Sequence, residues 1–271
     1  MQVATHPVFN PSAHLDSRPT DLIMTSADRV QFHVHRDRVV TSSTNCFNLL
    51  LLPNDRSIEL AEPATLLAII FYLIYDKPFD TQPDPATILA SFDIFRKYGL
   101  PLKKYFSPPS QLFAVTHAQI LTQPVDFSLQ IYTQASQDDL FELAKAASPI
   151  LLSLKLPQPD ETKLHKIHPI YLNKLYALHM ERMIGLRKIL KTPPLAHAQT
   201  TGCSAEGLLM HWDIKCSEVV LASELPDVSS ETIRQTLSEA RSSLTCEECK
   251  KALEAGIDRV VHDWEATKNT I

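Results

Sequence analysis

The chain has 271 residues, 44% of them hydrophobic, and a formal net charge of −5. No block of Lys and Arg stands out, so nucleic acid is not expected as a direct partner, because phosphate binding needs concentrated positive charge. Only five glycines occur, and neither Gly-x-Gly-x-x-Gly nor a P-loop is present, which argues against a glycine-rich phosphate cradle.

Residues 1–18 contain several Pro, His and Asp residues and no apolar core, so they read as a flexible arm without a signal-peptide pattern. Asp21 to Thr25 is a short apolar run. Val30 to His35 alternates at period two, placing Val30, Phe32 and Val34 on a buried face. Together they predict an antiparallel hairpin. Arg36 to Val40 suits a helical turn. Thr41 to Asn45 is rich in N-cap residues and precedes Phe47, Leu49, Leu50 and Leu51, which predicts a short capped helix. Ser57 to Leu60 reads as a third strand. The run Leu66–Tyr75 is too short to span a bilayer and reads as a buried helix. Asp84-Pro85 opens the next helix, with Ile88, Phe92 and Phe95 on one face and Gly99 past its end.

This front segment resembles the start of a BTB/POZ domain, particularly of fungal BTB proteins. Asp21 matches the acidic residue opening the family's first strand. Phe32, His35 and Arg36 match its second strand and exit, and Ser43 and Phe47 fall near a family serine and phenylalanine. His35 to Phe47 is one residue longer than the usual family spacing. The resemblance implies an α+β chain: a BTB/POZ fold over 19–107, a small mixed sheet flanked by helices, followed by an all-α C-terminal region. It also implies structural roles for these motif residues. BTB domains self-associate, and many bind cullin-type ubiquitin-ligase scaffolds. Protein partners and a homodimer are therefore expected, with Val39, Val40, Phe47 and Leu50 as candidates for the dimer or core surface.

Residues 108–156 read as three short helices, the third capped by Ser136. Lys155 to His168 is polar, and 157–168 is taken as a linker. From Pro169 to Leu190, Leu172, Leu175, His179, Met183 and Leu186 recur at spacings of three and four, predicting a long helix within a helical region over 169–271.

The tail carries Cys203, Cys216 and Cys246-Glu247-Glu248-Cys249. Thr245 with Glu248 forms a capping-box pattern that puts both cysteines in the first helical turn, where the helix dipole favours thiolates. Two such thiolates suit half of a structural zinc site. Cys203, with His197, His211 or Cys216, would complete it. The alternative is plain packing, since Cys249, Leu253, Ile257, Val260 and Trp264 form one apolar stripe. His33 with His35, and His165 with His168, have no acidic partner at ligand spacing. Neither Gly-x-Ser-x-Gly nor His-Glu-x-x-His occurs, so no enzyme activity is expected. Five cysteines in a chain with no signal-peptide pattern imply a reducing compartment, cytoplasm or nucleus, with no membrane partner. The expected role is a non-enzymatic interaction scaffold or ubiquitin-ligase adaptor. The second reading is a zinc- or thiol-dependent protein.

Overall fold

The computed structural model describes residues 3–13, 15–50, 55–156, 164–198, 203–222 and 226–271. Most of the expected linker, as well as Leu51, Leu52 and Gly202, lies outside them. The architecture is α+β, in two units, Met1–Ala147 and Ser148–Ile271. The division therefore falls after the extension helices and ahead of residues 150–156.

In the first unit, β1 (Ala4–Thr5), β2 (Leu22–Thr25), β3 (Val30–Val34) and β4 (Ser57–Glu59) form a mixed sheet in the order β1-β3-β2-β4. The expected hairpin forms, with Leu22 opposite Val34 and Met24 opposite Phe32. β4 joins β2 in parallel, with Ile58 beside Met24. Alternation puts Leu22, Met24, Phe32, Val34 and Ile58 on the buried face.

The arm is not loose. β1 pairs in parallel with β3, and the Phe9 carbonyl accepts the His33 N–H at 2.8 Å. The Phe9 ring is fully buried against Phe32, Phe71 and Tyr72. Burial of an aromatic ring is what recruits this segment, a signal its polar composition hides.

α1 (Arg36–Thr41) follows β3. The Asp21 carboxylate accepts the Arg36 N–H at 2.8 Å, so it substitutes for a side-chain cap at this helix. His35 is buried and fully satisfied. Its backbone N–H donates to the Tyr75 hydroxyl at 2.7 Å, and its ring nitrogens meet Tyr75 Oη and the Arg18 carbonyl, each at 2.9 Å. With Nε2–H donating to the carbonyl, Nδ1 accepts from the hydroxyl. Burial pushes the Tyr75 phenol up to about 12.

Leu51 lies outside the described residues, and over Phe47–Leu50 the expected helix does not form. Cys46, Phe47, Asn48 and Leu49 all have φ between 51° and 59°, a left-handed run that costs roughly 1–2 kcal/mol per residue. What overrides local propensity is a neighbouring helix end. α2 (Ala64–Ile74) packs on the sheet through Phe71 against Phe32, and α3 (Pro85–Lys97) packs on α2. The Ser43-Thr44-Asn45 cluster caps the C-terminus of α3 rather than a helix of its own. Ser43 Oγ donates to the Tyr98 carbonyl at 2.6 Å, Thr44 N–H to Gly99 at 2.8 Å and Asn45 Nδ2 to Lys97 at 3.0 Å. Phe47 then stacks on Tyr98 with centroids 4.1 Å apart. Gly99 sits at φ +64°, and a Cβ there would lie 2.6 Å from Asn45 Oδ1. Gly99→Ala is accordingly expected to cost about 2–3 kcal/mol in urea unfolding, from strain and overlap together. A loss below about 0.5 kcal/mol would contradict this turn.

α4 (Leu102–Tyr105), α5 (Gln111–Thr122), α6 (Val125–Gln137) and α7 (Phe141–Ala147) complete the unit. Ser136 does not cap a helix. It is buried inside α6 and donates to the Thr133 carbonyl at 2.7 Å, while Asp138 meets Arg96 of α3. In the second unit a 3₁₀ turn (Ile150–Ser153) precedes α8 (Pro169–Leu190), α9 (Glu206–Ala222), α10 (Ser230–Ser238), a second 3₁₀ turn (Glu239–Ser243) and α11 (Glu247–Glu265). Leu186, Leu190, Trp212, Ile233, Leu253 and Ile257 share its core. No described helix is long and apolar enough to cross a membrane.

Candidate metal centre

The site lies where the segment after α8 meets the start of α11. Pro193-Pro194 ends α8 and turns the chain onto α11, where Arg259 Nη1 donates to the Pro193 carbonyl at 3.2 Å. Close approach requires Gly256, since a Cβ there would sit 3.0 Å from Pro194 Cγ. Trp212 Nε1 donates to the Leu190 carbonyl at 3.2 Å and fixes α9 on the same helix end. These contacts deliver His197 to one side of the α11 N-terminus. Cys203, just ahead of α9, approaches from another side.

α11 starts one residue later than the capping-box pattern predicts. Thr245 is not the N-cap. Cys246 holds that position, without a side-chain cap bond, and Glu247 is the first helical residue. Cys246 Sγ faces His197 Nε2 at 3.4 Å, and Glu248 pairs with Lys251 at 2.9 Å instead of reaching back. Cys249 follows in the first turn, buried under the apolar stripe.

The ligand atoms of His197, Cys203, Cys246 and Cys249 all lie within 4.8 Å of one another. Cys249 Sγ is 3.2 Å from His197 Nε2 and 3.5 Å from Cys203 Sγ. Zinc–sulfur and zinc–nitrogen bonds of about 2.3 and 2.05 Å at tetrahedral angles place sulfurs about 3.8 Å apart and sulfur and nitrogen about 3.6 Å apart. Three of the six donor pairs, at 3.2, 3.4 and 3.5 Å, are thus within a few tenths of an ångström of tetrahedral spacing. His197 Nδ1 meets the Ala198 carbonyl at 2.7 Å. A proton on Nδ1 leaves the Nε2 lone pair for a metal, the orientation that backbone acceptors impose on ligand histidines.

The electrostatics pull the donors in different directions. The Ala205 N–H, then Cys249, bring the Cys203 thiol down to about 7. The Ala198 carbonyl, then Cys203, raise His197 to about 9. Without metal, a Cys203 thiolate and a His197 imidazolium coexist between those values. The pair is lost as pH falls through about 7 and as it rises through about 9. Burial pushes the Cys249 thiol up to about 12, a protonated state that only a strong cation reverses.

Three of the four expected ligands meet: Cys203, Cys246 and Cys249. His211 is outside the group; it precedes the core-facing Trp212 by one residue, about 100° round α9. Cys216 is buried and donates to the Leu190 carbonyl at 3.5 Å, and burial raises its thiol to about 12. The donor that completes the set is His197. Its signal in the sequence is a histidine shortly before Cys203 and just after a Pro-Pro turn. No other such group occurs among the described residues.

Of the surface candidates in the first unit, Val39 and Phe47 are fully buried and belong to its core. Val40 is half-buried. Leu50 is 37% exposed and its neighbour Leu49 77%. No protein-family model matches the chain, and a search of curated proteins gives no significant match.

Proposed function

We propose that this protein is a non-enzymatic interaction scaffold. Its first unit is of BTB/POZ type and self-associates, and its second unit is a helical module stapled by a structural zinc on His197, Cys203, Cys246 and Cys249. The observation that carries the zinc assignment is the closed donor set. Three thiols and one imidazole leave no position for water or substrate, which is the difference between structural and catalytic zinc. Three sulfurs also favour zinc over magnesium or calcium, which take oxygen ligands. Bound there, zinc supplies cross-linking between the segment after α8, the residue ahead of α9 and the start of α11.

The BTB reading is supported by the order strand, strand, helix, strand, helix, helix from β2 to α3, with β3 antiparallel and β4 parallel to β2. Self-association would use the accessible apolar residues Val40, Leu49 and Leu50. A cullin-type scaffold is the partner class this reading puts first, with the helical module recruiting a further protein.

Light scattering after size exclusion, with zinc determined on the same peak, tests both halves. A dimer with one zinc per chain is expected. A monomer removes the self-association reading, and a metal-free peak removes the zinc reading. Leu49→Asp with Leu50→Asp should convert the dimer to a folded monomer, because two charges in an apolar interface cost several kcal/mol. A dimer that survives both changes places the interface elsewhere.

A further inference from the structure

The staple rests on three thiols, and they differ in reach and restraint. Cys203 and Cys246 are half-exposed, whereas Cys249 is buried. Cys246 and Cys249 are held by α11, at its N-cap and in its first turn. Cys203 lies outside any helix, at an isolated β-bridge, so a shift there breaks no helical hydrogen bond. Cys203 Sγ and Cys249 Sγ are in contact at 3.5 Å. Cys246 Sγ lies within 4.8 Å of both and meets His197 Nε2 at 3.4 Å.

We infer that the centre is also a peroxide-reactive modification site, in which Cys203 and Cys249 exchange the metal for a disulfide. The inference rests on the zinc reading above. The Cys203 thiolate attacks hydrogen peroxide, takes up one oxygen as a sulfenic acid and, with one proton, releases water. The Cys249 thiolate then attacks the Cys203 sulfur, and the sulfenic oxygen leaves as a second water on gaining another proton. Two thiolates, one peroxide and two protons become one disulfide and two waters, with the peroxide as the two-electron oxidant. A contact of 3.5 Å must close by about 1.5 Å to reach a disulfide bond length.

The pairing has a structural consequence. A Cys203–Cys249 bond spans the same junction that zinc spans and closes a long loop, so the start of α9 stays tied to α11. His197 and Cys246 are released. The segment after Pro193-Pro194 loses its anchor while the bundle keeps its cross-link. A Cys246–Cys249 bond would close only a four-residue ring and retain no such tie.

The test uses the full zinc-loaded chain with about tenfold excess hydrogen peroxide. A metallochromic dye reads zinc release, non-reducing peptide mapping reads disulfides, and thermal unfolding is compared with protein chelated under reductant. The expected result is release of one zinc per chain, a Cys203–Cys249 cross-linked peptide and an alkylatable Cys246. The melting temperature should fall by less than half the drop caused by chelation, and thiol reductant plus zinc should restore the starting state. Cys203→Ser should abolish the cross-linked peptide while leaving Cys249 in place. Zinc retained under peroxide, a Cys246–Cys249 pairing, or melting no higher than the chelated protein overturns the inference and leaves the zinc reading standing. Untreated protein without zinc overturns the zinc reading, and this inference with it.

Discussion

On the proposed zinc reading, Cys249→Ala should abolish zinc binding by the second unit and lower its stability by about 4 kcal/mol or more, because structural zinc supplies folding free energy outright and a set with one donor missing holds it poorly. Truncating a buried thiol by itself costs about 1 kcal/mol, so the two readings of this cysteine separate cleanly. The chain has two tryptophans, Trp212 and Trp264, both buried in the second unit, so their fluorescence reports that unit alone. Unfolding followed at those residues, with metal content measured on the same samples, decides the matter. A loss near 1 kcal/mol with no response of the parent protein to chelator would return Cys249 to plain packing. The pH dependence has a definite sign. Zinc must displace the thiol protons and the His197 proton, so affinity should fall as pH drops from 8 to 6, with Cys203 protonating near pH 7. Zinc affinity that is flat over that range would exclude thiolate ligands.

Arg182→Ala should cost the second unit about 3–5 kcal/mol. The side chain is buried. Its Nε donates to the Pro226 carbonyl at 3.0 Å, and Nη1 donates to the carbonyls of Thr267 and Lys268 at 3.1 and 3.3 Å. The guanidinium also lies 4.0 Å over the Trp264 ring. One planar cation thus ties α8 to the approach to α10 and to the end of α11, and its loss leaves three carbonyls without their donor. Desolvation lowers the Arg182 pKa, with Asp227 opposing. Burial raises the Asp227 carboxyl, with Arg182 opposing, so the substitution should move Asp227 further up. Arg182→Lys should not rescue, because an ammonium cannot reach divergent carbonyls and stack on indole at once. Denaturant unfolding of both variants checks this. A loss below about 1 kcal/mol, or full rescue by lysine, would mean that these contacts are incidental.

Much of the fold is legible wherever a local period coincides with burial. The β2–β3 hairpin, the capped α3 with Gly99 after it, and α8 from Pro169 to Leu190 all follow from alternation, an Asp-Pro start, a glycine stop and a three-four apolar repeat. Local reading fails where a residue is recruited from a distance. Ser43, Thr44 and Asn45 carry the chemistry of an N-cap, and Ser43 Oγ and Asn45 Oδ1 do accept the Phe47 and Asn48 N–H groups, yet their donors go to the orphan carbonyls at the far end of α3. Phe9 looks like part of a loose arm until the ring finds Phe32 and Phe71.

The candidate metal centre divides the same way. By itself the sequence determined that Cys246 and Cys249 sit together at a helix start and that Cys203 was a candidate third donor, since short spacing and helical pitch settle which residues are neighbours along the chain. Only the tertiary structure decided that His197, and neither His211 nor Cys216, completes the set. It also decided that Cys246 rather than Thr245 opens α11. Both outcomes depend on the Pro193-Pro194 turn closing against Gly256 and on Trp212 filling the space beneath. Packing of that kind joins residues far apart in the chain, and no local pattern of charge or period records it.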